Sequence, residues 1–232
     1  MRQVVLDTET TGLEVGKGHR LVEIGCIELL ERRPTQRRFH RYLNPQRAID
    51  EGARAVTGIS DEFLLDKPLF AQIAGELLDF IADAELIIHN AAFDLAFLDA
   101  ELALAGLPHR LAGRQPVLDT LALAREKYPG QKNSLDALCK RLDVDNTHRE
   151  LHGALLDAEL LADVYLAMTA GQGDLGLAAV ASALIPIREA VQATARAALK
   201  VLVATVDEVA AHAARLNAID NASKGRCRWR LS

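Results

Sequence analysis

The chain has 232 residues, half of them hydrophobic and a quarter charged, with a formal net charge of −5. That length fits one sizeable domain plus an appendage, the apolar content suffices for a full core, and no apolar run reaches the ~18 residues of a membrane span. The negative balance argues against a stand-alone, tight nucleic-acid binder, and it is uneven: residues 1–170 hold 19 Lys/Arg against 27 Asp/Glu, residues 171–232 hold 8 against 5. The acidic part would hold a nucleic acid weakly, because phosphate contacts supply most of the affinity. Cys26, Cys139 and Cys227 are odd in number and far apart, which suggests a reducing compartment and neither a disulfide framework nor a zinc site. Met1-Arg2 leads straight into a strand pattern, so no signal peptide is expected and the location is read as cytoplasmic.

Val4-Val5-Leu6 reads as a short buried strand that runs into Asp7-Thr8-Glu9-Thr10-Thr11-Gly12. Side chains two apart on a strand share a side, so Asp7 and Glu9 project together. Adjacent carboxylates repel unless a cation or a proton lies between them, and their hard oxygens suit Mg²⁺ or Mn²⁺. Two solvated acids at a strand end account for the motif equally well. His19 to Leu30 reads as a second strand and Arg38 to Leu43 as a third, with Pro34-Thr35-Gln36 breaking between them. Pro45 to Ile59 reads as a loop with a short helix, and Pro68 to Ala82 as a helix with Pro at its first turn. Glu85 to Ile88 is another buried strand. Asn90 is a good N-cap for a helix to Ala105, with Asp94 in its first turn, where the helix dipole alone would favour an acid. Val117 to Thr120 reads as a strand feeding a helix to Lys127, and Asp119 as a strand-end or helix-cap acid. Ser134 caps a helix to Leu142.

The last domain helix runs from Gly153 to Thr169 and ends at Gly171. Residues five apart on a helix do not share a face, so His152 and Asp157 can serve one site only if His152 precedes the helix. Gly153 lets the chain bend between them. Three clusters thus offer four carboxylates, Asp7, Glu9, Asp94 and Asp157, and one imidazole, His152. Two-metal phosphodiester hydrolysis needs that set: carboxylates hold cations that clamp the attacking and leaving oxygens, and a His of ordinary pKa near ~6.5 can take the proton of the attacking water.

Asp7-x-Glu9, His89-Asn-x-x-x-Asp94 and His152-x-x-x-x-Asp157 resemble the three motifs of the DEDDh 3′–5′ exonucleases. Leu6–Gly12, Val22–Gly25, Asp61–Pro68, His89–Asp94, Asn133–Cys139 and Leu151–Ala158 are similar, in order, to the proofreading (epsilon-type) subunits of bacterial DNA polymerase III. The resemblance is strong over residues 1–170 and weaker beyond. It implies an α/β, ribonuclease H-like fold: a mixed sheet with helices on both faces. It implies that Asp7 bridges two divalent cations, that Glu9 and Asp157 complete the tighter site, that Asp94 holds the second cation and that His152 activates water. Contacts to a single-stranded 3′ DNA end would come from Asp7, Thr8, Glu9, Thr10 and Asp157, from Leu13 and Phe93 against the bases, and from Gly52, Val56 and Thr57. Apolar contact with base faces is sequence-tolerant. Thr57 stands where some relatives carry His, and Gly52 where some carry Glu, so those two contacts depart from the family pattern and Glu51 could take the second.

Beyond the exonuclease domain, residues 171–200 read as a linker and 201–232 as a polymerase-binding segment. Gln172-x-x-Leu175-x-Leu177 resembles the peptide by which such subunits bind the sliding clamp (beta), and a plain linker explains it as well. Val201 to Ala204 is strand-like, and Thr205-Val-Asp-Glu208 is a capping box opening a helix to about Asn217. A segment this size is not stable alone, so it should fold on a partner, which the resemblance makes the polymerase catalytic (alpha) subunit. Trp229 with Arg226, Arg228 and Arg230 would suit an interface anchor. The resemblance also allows a small theta-like accessory subunit and places the protein in the nucleoid-associated replisome. Two other readings remain at this point: an RNA-trimming exonuclease of the same superfamily, and a scaffold tethering polymerase to clamp.

Overall fold

A computed structural model of the chain describes residues 1–108, 110–147, 149, 151–170, 204–223 and 229. Five strands form one sheet: β1 (Arg2–Thr10), β2 (Leu21–Leu30), β3 (Arg33–Tyr42), β4 (Glu85–Ile88) and β5 (Val117–Asp119), in the order β3-β2-β1-β4-β5. The β1–β2 and β2–β3 pairs are antiparallel, and β1–β4 and β4–β5 are parallel. A parallel neighbour needs a crossover, and helices supply it: α1 (Glu51–Thr57), α2 (Asp61–Leu64) and α3 (Phe70–Ile81) before β4, and α4 (Ala91–Leu104) before β5. Helices α5 (Thr120–Lys127), α6 (Leu135–Leu142) and α7 (Ala154–Thr169) complete the domain.

Both faces of the sheet are covered, which is why its central strands read as apolar runs. Successive side chains alternate between the faces. Val4, Leu6, Ile24, Leu86 and Ile88 pack with Phe70, Ile73 and Leu77 of α3 and Phe97 and Leu98 of α4. Val5, Ile27, Leu29 and Ile87 pack with Leu138 of α6 and Leu161, Val164 and Tyr165 of α7. Gly25 sits under the start of α7. A Cβ there would lie 2.3 Å from the backbone of Ala154 and Leu155, so only glycine lets that helix approach the sheet this closely.

Three local expectations are corrected. The second hairpin strand starts at Arg33, not Arg38, and runs through Pro34. Because β3 is the sheet edge, proline costs no interior ladder bond there, and the turn falls instead on Glu31 and Arg32, at φ of 49° and 62°. Pro68 lies before the N-cap of α3, Leu69. Asn90 adopts φ of 67° and makes no side-chain cap. Helix α2 was not anticipated; its cap is Ser60, whose hydroxyl accepts from the Phe63 N–H at 3.2 Å.

The chain divides into two units, Met1–Asp174 and Leu175–Ser232. In the second, α8 (Val206–Ala222) opens on the expected capping box of Thr205 and Glu208, and none of its residues is buried. It runs five residues past Asn217, and Trp229 is exposed. Gln172, Leu175, Leu177, the run 178–200, the strand-like 201–203, and Arg226, Arg228 and Arg230 lie outside the described residues.

Candidate active site

Where the parallel and antiparallel halves of the sheet meet, the C-terminal end of β1 opens into a cleft. Asp7 and Glu9 follow Val5 on the α7 face, and Thr8 follows Leu6 on the α4 face. The Thr8 hydroxyl donates to Asp94 Oδ1 at 2.7 Å, which fixes that carboxylate from α4 over the strand end. Asp94 and Asp157 are each 3 % exposed, while Asp7 and Glu9 are partly buried. His152 lies in the loop before α7, and its N–H donates to the Val56 carbonyl at 3.1 Å. That bond ties the loop to α1. Ligand atoms of Glu9, His152 and Asp157 all lie within 4.8 Å of one another.

The start of α4 is held from another element. Asp119, at the end of β5, accepts from the Asn90 and Ala91 N–H groups at 3.2 and 3.3 Å, and also caps its own helix through Leu121 and Ala122. The helix-cap reading of Asp119 therefore describes it, for two helices at once. Next to the cluster, Glu23 stands opposite Glu9 in the β1–β2 ladder, buried and 2.7 Å from His40 Nε2.

Electrostatics make the cluster costly to ionise without a cation. Burial, then Asp94, Asp157 and Glu9, push the Asp7 carboxyl well above its ordinary value, with Arg149 pulling the other way. Burial, Asp157 and Glu23 push Glu9 up to about 8. Asp94 rises to about 7, chiefly by burial and against the Thr8 hydrogen bond. Burial lowers His89, which lines the cleft and whose Nδ1 lies 3.0 Å from the Thr120 hydroxyl. Clustered, buried carboxylate oxygens are the ligand chemistry of a hard divalent cation, so the residues fit such an ion.

A second cavity of about 440 Å³ adjoins the cleft and shares Thr8, Glu9 and Phe93 with it. Thr10, Leu13, Gly52, Val56 and Thr57 line it, together with Gly12, Asp50 and Ala53. Leu13 is 82 % exposed and Val56 45 %, so both offer apolar surface at its rim. Gly52 meets nothing that a Cβ would clash with. The Thr57 hydroxyl is spent locally, donating to the Ala53 carbonyl at 2.9 Å and accepting from the Ile59 N–H at 3.2 Å.

Sequence reading missed Arg149 and Asp136, which also line the cleft. Arg149 grips both oxygens of Asp157 at 2.6 Å, pairs with Asp136, and lies 2.8 Å from His152 Nδ1. The available signal was weak: one Arg three positions before His152, of the kind that solvent usually takes.

The exonuclease family model matches residues 4–165. Among solved structures, exonuclease X in complex with 5′ overhanging duplex DNA aligns at a TM-score of 0.58 and 25 % identity, over 74 % of this chain and 93 % of that one. The nuclease domain of 3′hExo, a DEDDh family member bound to rAMP, aligns at 0.63 and 17 % identity, over 72 % and 90 %, a likeness of fold. Fold and family thus define a 3′–5′ exonuclease with a ribonuclease H-like sheet. The DNA polymerase III subunit epsilon of Escherichia coli (strain K12) is 50 % identical over 238 aligned positions, covering 99 % of this chain and 97 % of that protein. The chain belongs to the DNA polymerase III epsilon subunits, and it is a hydrolase that proofreads from the 3′ end.

Proposed function

We propose that the chain removes 3′-terminal mismatched nucleotides by two-metal hydrolysis, with Asp7, Glu9, Asp94 and Asp157 holding the cations and His152 as general base. Asp7, Glu9 and Asp157 would hold one cation, and Asp94 with Asp7 would hold the other; Mg²⁺ or Mn²⁺ suits these oxygens. Bound there, the cations would supply charge neutralisation at the attacking and leaving oxygens. The protein's own part is positional. The cavity between Leu13, Val56 and Phe93 receives the terminal bases, the backbone around Thr8 and Thr10 lines the path of the last nucleotide, and His152 takes a proton from water as its oxygen attacks phosphorus and the P–O3′ bond breaks. Discrimination follows from fraying, since a mismatched end enters a single-strand site more readily.

The observation that carries this reading is the convergence, at one strand end, of four carboxylates and an imidazole from three separate segments, beside a cavity with an apolar rim. As an epsilon-type subunit the chain would work within the DNA polymerase III core in the cytoplasmic replisome. Residues 201–232 would bind the catalytic (alpha) subunit, supported by an α8 that buries no face of its own. A linker at 171–200 would carry the clamp-binding peptide Gln172–Leu177, and a theta-like subunit is a further candidate partner.

The test is nucleotide release from end-labelled single strands, DNA beside RNA, with Mg²⁺ or Mn²⁺ and Asp7→Ala as control. Metal-dependent 3′–5′ release from DNA, lost in Asp7→Ala, is the expected result. Release that persists in EDTA or in Asp7→Ala would overturn the metal assignment, and a strong preference for RNA would overturn the DNA substrate.

A further inference from the structure

Among the described residues lining the catalytic cleft, Arg149 is the only Lys or Arg. Its side chain is 7 % exposed and Asp157's is 4 %, so their two parallel 2.6 Å bonds form a buried, bidentate ion pair. Such fork-to-carboxylate bonds are among the strongest available to a side chain. The same guanidinium donates from Nη2 to His152 Nδ1 at 2.8 Å. A guanidinium has donors and no acceptor, so Nδ1 accepts and the ring proton sits on Nε2. The 3.3 Å approach of Nδ1 to Asp157 Oδ2 is then two acceptors sharing one donor. One arginine thereby occupies both oxygens of a candidate metal ligand and the free lone pair of the candidate base.

We infer that Arg149 is the resident counter-ion of the metal-free site, and that it leaves Asp157 and His152 when divalent cations bind. The inference rests on the two-metal reading. A cation approaching Asp157 would meet a like charge held against the same oxygens, so the two exclude each other. Asp136 gives the displaced side chain an anchor: it pairs with Nη1, the nitrogen that touches neither Asp157 nor His152, and it is itself exposed. Loading the metal and freeing the base are then a single event, and an unloaded site keeps its nucleophile-activating group capped. Arg149 is a positioning residue in this account. A merely structural arginine would support Asp157 equally with and without metal.

The experiment is Mn²⁺ titration calorimetry without DNA on the full-length protein, comparing wild type, Arg149→Gln and Arg149→Lys, with melting curves in EDTA. Removing a competing charge should tighten Mn²⁺ binding by roughly tenfold in Arg149→Gln, while its melting temperature in EDTA falls. Arg149→Lys, which keeps the charge and loses the fork, should fall between the two. Ring ¹⁵N shifts of His152 supply a second readout. Mg²⁺ should move the wild-type Nδ1 resonance and leave that of Arg149→Gln nearly unchanged. Equal or weaker Mn²⁺ binding by Arg149→Gln overturns the inference, and if that variant does not fold in EDTA, the same result in Arg149→Lys does so. Wild type that binds no Mn²⁺ would overturn the metal reading itself, so the two failures are distinguishable.

Discussion

Four carboxylates gathered at one strand end constitute a destabilising group unless something positive joins them. Glu9 rises from an ordinary 4.5 to about 8, and Asp94 from 3.8 to about 7. Between those ordinary and raised values the folded chain keeps protons that the unfolded chain has released. Stability therefore falls as pH rises across roughly pH 4 to 8, the reverse of the usual salt-bridged carboxylate. Melting temperatures in EDTA should be highest near the acid end of that window and decline toward its upper end, and saturating Mg²⁺ should flatten the decline. A metal-free melting temperature that climbs with pH there would show that the cluster stays ionised. His152 carries a separate expectation. His152→Ala should lower kcat by about 10²–10⁴-fold while leaving Mg²⁺-dependent stabilisation in place, since the carboxylates remain; single-turnover digestion and melting curves check the two halves. These acids were legible because each motif has a local geometric reason: the two-residue repeat of a strand for Asp7 and Glu9, a first helical turn for Asp94, a bend at Gly153 for His152 and Asp157. Arg149 was not, because its partners come from α6 and α7 and only the assembled cleft takes it out of solvent.

The elements show where local patterns suffice and where they do not. Helices α5, α6 and α7 start where their caps or bends predict, because a cap residue and its first turn are neighbours in sequence. Strand β3 and the cap of α4 defeat the same reasoning. Whether Pro34 can stay in a strand depends on that strand being an edge, which is a property of the sheet. The α4 N-terminus is capped by Asp119, twenty-nine positions from Asn90, so its own sequence could not announce it. Gly25 is the sharpest element-scale constraint. Its absent side chain lets α7 bring Asp157 to the end of β1, and a methyl there would sit 2.3 Å from the helix backbone. Gly25→Ala should cost about 1–3 kcal/mol of stability by overpacking, measured by denaturant unfolding. It should also lower exonuclease activity by more than the unfolded fraction explains, because α7 carries a metal ligand. A variant with reduced stability and full specific activity would mean that the helix yields without moving Asp157.

At the scale of the whole molecule, the chain divides near the same place in contact, in charge and in the extent of the exonuclease family match. The exonuclease family match ends at residue 165, and the N-terminal unit ends at Asp174. That unit carries every acid of the candidate site and a core on each face of its sheet. The net charge of the chain changes sign near the same boundary, from 27 acids against 19 bases in residues 1–170 to 5 against 8 beyond. An acidic nuclease unit is expected to have little affinity of its own for DNA, because phosphate contacts supply most of that affinity, and a tether to the polymerase, as proposed above, would compensate. In the second unit α8 has its full capping box and no buried face, with Val206 85 % and Val209 56 % exposed. Most helical stability in proteins comes from packing an apolar face, and α8 packs none of its own, which favours a binding surface completed by another subunit. Deleting residues 171–232 should therefore leave the melting transition of the nuclease unit and its rate on free single strands nearly unchanged. The same deletion should abolish co-elution with the polymerase catalytic subunit, and with it the rate gain on mismatched primer ends that the tether provides by raising local concentration. A truncated protein that still co-elutes would locate the polymerase contact on the nuclease unit. One that loses activity on free strands would show that the C-terminal unit contributes to the catalytic fold.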